Sequence, residues 1–222
     1  MLTTGTYLHM REILKKIMKK DSHCFDLGGY HIRSLYFDDM YDSALRDKYQ
    51  GYSHRKKFRI RIYNRSDRLI KLEIKEKHQD YIHKISSPIS REEYERIYDG
   101  DISFLYNSRN EVREQYYLEF RTKYLKPAVI VDYQREAFVI PFNDIRITLD
   151  KRLSAAVPEK DIFSDNCVSS LVGAEYSVIM ELKYNNFFPG YLRNILEGYC
   201  SNRLAVSKYM LCREHVSRQI GM

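Results

Sequence analysis

The stretch from Lys56 to Lys77, "KKFRIRIYNRSDRLIKLEIKEK", constrains the fold more than any other part of the sequence. Side chains on a β-strand point alternately to opposite faces. Phe58, Ile60 and Ile62 then share one face, and Arg59 and Arg61 the other. After the "NRSD" turn the pattern returns, with Leu72 and Ile74 on one side and Glu73, Lys75 and Lys77 on the other. A solvated sheet face accounts for one such strand. Recurrence argues for more. Tyr133 and Arg135, then Arg146, Thr148 and Asp150, then Glu181 and Lys183 repeat the polar i, i+2 row, against Ile145, Ile147, Leu149, Met180 and Leu182. With the opening pair, five strands each present a basic residue in this way. A sheet closed on itself, apolar outside under helices and cationic inside, explains both halves of the pattern. Its lumen would hold a polyanion, because buried cations need a counter-charge.

Helical periodicity and turn chemistry fill in the rest. Residues 6–20 set Tyr7, Met10, Ile13, Leu14, Ile17 and Met18 at helical spacing. Residues 30–39, "YHIRSLYFDD", read as a strand, and 80–90 as another, ended by Pro88. Ser90 and Glu93 form a capping box that opens a short helix. Residues 110–125 read as a longer helix that stops before Pro127. Strands follow over 127–140, 144–153 and 176–185, and helices over 190–199 and 207–220. The order is α+β, an antiparallel β-barrel flanked by helices, rather than an alternating βαβ series. No repeat or linker divides the 222 residues, so one domain, 1–222, is expected.

Composition narrows the partner. A formal net charge of +7 points to an anion, and 44% hydrophobic with 30% charged residues marks a globular chain. The basic–aromatic motifs of nucleic-acid modules are not seen, so nucleic acid is not the expected partner. Cys24, Cys167, Cys200 and Cys212 are scattered, which excludes a zinc or disulfide framework and suits reduced thiols in the cytoplasm. The seven histidines show no ligand spacing. No apolar run is long enough to span a bilayer.

In order along residues 31 to 213, "RSLYFDD", "KFRIRIY", "KLEIKEK", "KPAVIVDYQREAF", "RITLD", "IMELKY" and "SKYMLCR" resemble the VTC domain of polyphosphate polymerases. That family is a branch of the triphosphate tunnel metalloenzymes, in the CYTH-like superfamily. The resemblance implies a β-barrel tunnel and transfer of the γ-phosphoryl of ATP to inorganic polyphosphate, with Mn²⁺ or Mg²⁺ as cofactor. By motif position it implies Arg59, Arg61, Arg135, Arg146 and Lys208 as catalytic cations. It implies Lys75, Lys84, Tyr133, Lys183 and Ser207 as substrate-binding groups, and Glu181 as the metal carboxylate. ATP and polyphosphate are the implied partners, and a membrane-protein partner is left open.

The residue types suit that chemistry. Phosphoryl transfer asks a protein to position reactants and neutralise phosphate oxygens. Arginine offers bidentate donors and stays charged among other cations. One carboxylate with phosphate oxygens and water is an ordinary way to hold Mg²⁺ or Mn²⁺. A helix opening at Ser207 adds backbone N–H donors for an anion. Other residues have blander expectations. Glu73 is open between an ion-pair partner for the arginines and a metal ligand, Asp150 pairs with a neighbouring arginine, and Asp38 and Asp39 make a strand end or turn.

One family feature has no counterpart. Typical members open with a strand reading roughly R-x-E-x-K-Y, whereas Glu12 and Lys15 here fall on the first helix at the wrong spacing. A barrel missing that strand leaves an exposed edge. Two alternatives to the polymerase therefore stand: a weak or inactive polyphosphate-binding module, and a tunnel triphosphatase or adenylyl cyclase like others of the superfamily.

Overall fold

The computed structural model describes residues 1–24, 28–79, 81–167, 169–173, 177–199 and 205–221; Cys200 and Tyr176 lie outside the described residues. In chain order the elements are α1 (Thr4–Ile17), β1 (Lys19–Lys20), β2 (Tyr30–Asp38), α2 (Ser43–Tyr49), β3 (His54–Tyr63), β4 (Ser66–His78) and β5 (Tyr81–Ile89). Then come α3 (Arg91–Tyr98), α4 (Glu111–Lys123), β6 (Lys126–Ile140), β7 (Ile145–Ala156), β8 (Ser170–Leu171), β9 (Ile179–Lys183), α5 (Gly190–Glu197) and α6 (Lys208–Ile220).

The architecture is α+β, a large antiparallel sheet with six helices among the described residues. Strands bond in the order β5-β4-β3-β2-β6-β7-β8, with β1 beside β6 and β9 beside β7. The expected barrel is not closed. Its end strands, β5 and β8, are not neighbours. The sequence of β5 suits an edge: Pro88 has no N–H to donate, and Tyr81 and Ile82 are exposed. β8 is only two residues long.

Two compact units make up the chain: 1–31, 133–153 and 171–207 in the first, and 32–132, 154–170 and 208–222 in the second.

In the second unit, β2, β3, β4 and β5 form an antiparallel run. Asn64 and Arg65, both in the left-handed region, turn β3 into β4 as a two-residue hairpin. Register sets Ile60 opposite Leu35 and Leu72, and Phe58 opposite Phe37 and Ile74. That apolar face is covered by Tyr94 and Ile97 of α3 and Val112, Tyr116 and Phe120 of α4. A large apolar side chain fully buried in this way contributes about 1.5–3 kcal/mol. The Ser90–Glu93 capping box is formed, and Asn110 caps α4 by accepting from the N–H groups of Val112 and Arg113. Tyr116, fully buried, donates to the Arg59 carbonyl (2.8 Å) and lies 3.1 Å from that of Glu73. The apolar side also holds Arg33, which donates twice to Asp132 at 2.8 Å and to the carbonyls of Ile162 and Ser164.

In the first unit, Tyr7, Met10 and Leu14 of α1 pack with Phe138, Ile145, Ile147, Leu149 and Leu192. Thr3 caps α1, accepting from the Thr6 N–H. Glu12 and Lys15 lie on that helix, 2.6 Å apart. Buried Glu136 accepts from the Tyr7 hydroxyl (2.5 Å), Arg11 (2.7 Å) and Lys151 (2.5 Å). Gly29 is required: its φ is +89°, and a Cβ there would meet the Arg135 carbonyl oxygen at 2.1 Å.

α2 escaped the sequence reading because none of its residues is buried, so it carries no apolar period. Asp38 holds its start instead, accepting from the N–H groups of Ala44 and Leu45.

Candidate functional site

Register decides which polar side chains share a face. In the second unit, Arg59 stands opposite Tyr36 and Glu73, Arg61 opposite Ser34 and Lys71, and Lys57 opposite Lys75. One strand further, Lys75 stands opposite Lys84. Glu73, with none of its surface exposed, accepts from Arg59 Nε (2.8 Å) and Lys84 Nζ (3.3 Å), with Arg61 at 3.7 Å. Burial works to raise its carboxyl, but Arg59, Arg61 and Lys84 override that and hold it at about 2. Of the two roles left open for Glu73, the structure shows the ion-pair partner of the arginines.

Aromatic rings support these cations. Arg59 donates to the Tyr36 hydroxyl (2.8 Å) and its guanidinium lies over that ring at 5.6 Å. Burial opposes ionisation of Tyr36, yet Arg59 and Arg61 bring its phenol below the ordinary value. Arg61 Nε donates to Ser34 Oγ at 3.1 Å. Lys57 Nζ sits over the ring of Tyr209, on the first turn of α6, at 4.8 Å. Tyr209 donates its hydroxyl to Asp38, and Arg213 reaches Asp42 at 2.7 Å, so α6 is tied to the β2–α2 turn. Asp38 and Asp39 are occupied as turn acceptors, in line with the sequence reading. Lys208 is the first residue of α6 and Ser207, largely buried, immediately precedes it.

A second polar cluster lies in the first unit, on β6, β7 and β9. Arg135 donates to both oxygens of Asp150 (2.6 and 2.7 Å), reaches within 3.7 Å of Glu181, and lies over the Tyr133 ring at 5.2 Å. Burial alone would lower Arg135; Tyr133 and Asp150 more than offset it and hold the guanidinium charged. Asp150 is the arginine partner expected of it. Arg146 pairs with Asp21 (2.7 Å) and bonds the Tyr30 hydroxyl (3.2 Å). Lys183, largely exposed, lies 3.4 Å from Glu181.

The second unit therefore gathers Arg59, Arg61 and Lys84 on one carboxylate, with Lys75 in register beside them. The first unit gathers Tyr133, Arg135, Glu181 and Lys183, and sets Arg146 on β7 opposite Lys183. Sequence reasoning missed Ser34, Tyr36, Lys57, Tyr209 and Asp21. Lys57 was within reach, two residues before Arg59 on the same row. Tyr209 was not, because its place over β3 depends on how α6 packs.

Among the described residues no three His, Cys, Asp or Glu side chains converge on one point. Glu181 has Thr148 as its cross-strand partner, and Thr148 Oγ1 is buried with no hydrogen-bond partner among the described residues. A carboxylate beside an unused hydroxyl fits a hard divalent cation that draws its other ligands from phosphate oxygens and water.

Comparison with solved structures gives the fold. The crystal structure of a candidate adenylate cyclase from Bacillus halodurans aligns over 91% of this chain and 88% of its own, at 13% identity and a TM-score of 0.51. A protein of Pyrococcus horikoshii OT3 aligns over 96% of this chain and 84% of its own, at 12% identity and a TM-score of 0.37, too low to bear on the architecture. No curated protein matches the chain. The VTC domain model matches residues 1–216, nearly the whole sequence, and the chain belongs to the VTC domain family.

Proposed function

We propose that the chain binds inorganic phosphate chains in a triphosphate-tunnel manner and synthesises polyphosphate from ATP by metal-assisted γ-phosphoryl transfer. One observation carries this reading: Arg59, Arg61 and Lys84 share a single buried carboxylate, Glu73, on a face where Lys57 and Lys75 are also in register. Five cations gathered on one face make a positive surface, to which a chain of phosphates is suited. The planar donors of Arg59 and Arg61 would grip non-bridging oxygens, and Lys75, Lys84 and Lys208 would add point charges. In the first unit, Tyr133, Arg135, Arg146, Lys183 and Ser207 are the proposed phosphate-handling groups. Glu181, with Thr148 beside it, would hold Mn²⁺ or Mg²⁺, which supplies charge neutralisation on phosphate oxygens when bound. No protein nucleophile is needed, since the acceptor phosphate provides the attacking oxygen.

The two-pronged hold of Asp150 on Arg135 favours a second reading, a phosphate-chain binding module of weak or no activity. A guanidinium already clamped by the protein has less to give a transition state. Incubation of the protein with ATP and Mn²⁺, followed by gel analysis, separates the two. A ladder of long phosphate chains is the expected product. Tight, salt-sensitive binding of tripolyphosphate without ATP consumption would select the binding module, and hydrolysis of tripolyphosphate without chain growth would select a triphosphatase.

Among the described residues no helix is long and apolar enough to cross a membrane. ATP and polyphosphate as partners, and a cytoplasmic setting, belong to this proposal.

A further inference from the structure

Lys57 is a half-buried amine on the cationic face of β3. Lys75 faces it from β4, with Lys84 beyond on β5; Arg55 and Arg59 flank it on its own strand, and Lys48 approaches from α2. Tyr209 of α6 lies beneath it, with the phenol hydroxyl committed to Asp38 of β2. Burial first, then Lys75, Arg55, Lys48 and Arg59, bring the Lys57 ammonium down to about 7. Lys48 is itself lowered by burial and by Arg55 and Lys77. The field around this stretch of β3 is positive enough to be felt by both amines.

We propose that Lys57, with Lys75 across the ladder and the Tyr209 ring beneath, forms a further phosphate subsite that takes up a proton when a phosphate chain binds. The proposal rests on the phosphate-chain reading given above. It goes beyond it by placing an additional rung on β3 and by making occupancy of that rung depend on pH. The direction follows from the charges. Without ligand, the neighbouring cations favour the neutral amine; a phosphate group over the rung reverses the local potential and favours the ammonium. The proton comes from solvent and ends on Lys57 Nζ, with no covalent bond made. Above neutral pH, binding must include that protonation, so affinity falls as pH rises. An arginine at 57 would stay charged throughout and remove the dependence.

The test is calorimetry of inorganic tripolyphosphate binding between pH 6.5 and 9, in buffers of differing ionisation enthalpy, on wild type, Lys57→Arg, Lys57→Met and Arg59→Ala. Because tripolyphosphate itself titrates here, the readout is the difference between proteins. Wild type should take up close to one proton more than Lys57→Arg near pH 8, and its affinity relative to that variant should fall by up to about tenfold per pH unit. Lys57→Met should bind about tenfold more weakly than wild type at pH 6.5. Equal proton uptake and parallel pH profiles in wild type and Lys57→Arg, with Arg59→Ala still losing binding, would overturn the subsite and leave the phosphate-chain reading standing. Wild type and Arg59→Ala binding tripolyphosphate equally poorly would overturn both.

Discussion

The polar clusters of the two units solve the same problem differently. On β3, β4 and β5, Glu73 serves Arg59, Arg61 and Lys84 together. On β6, β7 and β9 the cluster is paired more nearly one to one: Asp150 for Arg135, Asp21 for Arg146, and Glu181 for Lys183, with Arg135 a further 3.7 Å from Glu181. Matched pairs hold a sheet together without outside help. The shared carboxylate sits on a face crowded with cations, where burial, then Lys75, Arg55, Lys48 and Arg59, bring the Lys57 ammonium down to about 7. Both clusters lie on sheet faces whose opposite sides are apolar. Under the proposed function, what separates them is how far each depends on a bound anion.

Loss of the shared carboxylate should have the largest effect. Glu73→Gln takes away the buried carboxylate that Arg59, Arg61 and Lys84 share and should cost about 3–5 kcal/mol in urea denaturation at low salt. Added tripolyphosphate should restore much of that loss, and should restore less in Asp150→Asn. Equal rescue in both variants would erase the distinction between the units. pH gives the same contrast without mutation. The Glu73 carboxyl is held at about 2, below its ordinary 4.5, so its stabilisation is complete above about 4.5. It is lost as pH falls from there toward 2, and the acid limb of a pH–stability profile should flatten in Glu73→Gln.

Arg59→Ala comes next. It should weaken tripolyphosphate binding by about 100-fold with far smaller loss of fold, as read by calorimetry and thermal melting. Unchanged affinity would remove the second unit's cluster from phosphate handling. Glu181→Gln should leave folding and ATP binding intact while lowering Mn²⁺-dependent turnover about 10–100-fold in the gel assay. Wild-type turnover in that variant would refute its metal role. The smallest effect belongs to Asp21→Asn: Arg146 is partly exposed, so stability should fall by no more than about 1 kcal/mol. A larger loss would mean that the matched pairs of the first unit are as critical as the shared one of the second.

Much of this was legible in the sequence because period-two alternation is a strong local signal. The faces assigned to Arg59, Arg61, Glu73 and Lys75 are those the register gives. The helix read from apolar spacing over 6–20 forms as 4–17, with Lys19 and Lys20 in a strand instead, and the one read over 110–125 forms as 111–123. Barrel closure was not legible, since alternation sets which way a side chain points and not whether the outermost strands meet. α2 was invisible because Asp38 holds it rather than an apolar stripe. The aromatic platforms were missed for a related reason: Tyr36 and Tyr209 come from distant segments, and their rings meet 5.1 Å apart only in the folded chain.

Tyr116 works from the covered side of the sheet. Its hydroxyl reaches from α4 to the backbone oxygens of Arg59 and Glu73, so two rungs of the charged row are anchored from behind the sheet. A search for functional positions that begins at solvent-exposed groups would pass over a phenol with no accessible surface. Swapping it for phenylalanine would keep the packing volume and still slacken the grip on the far side.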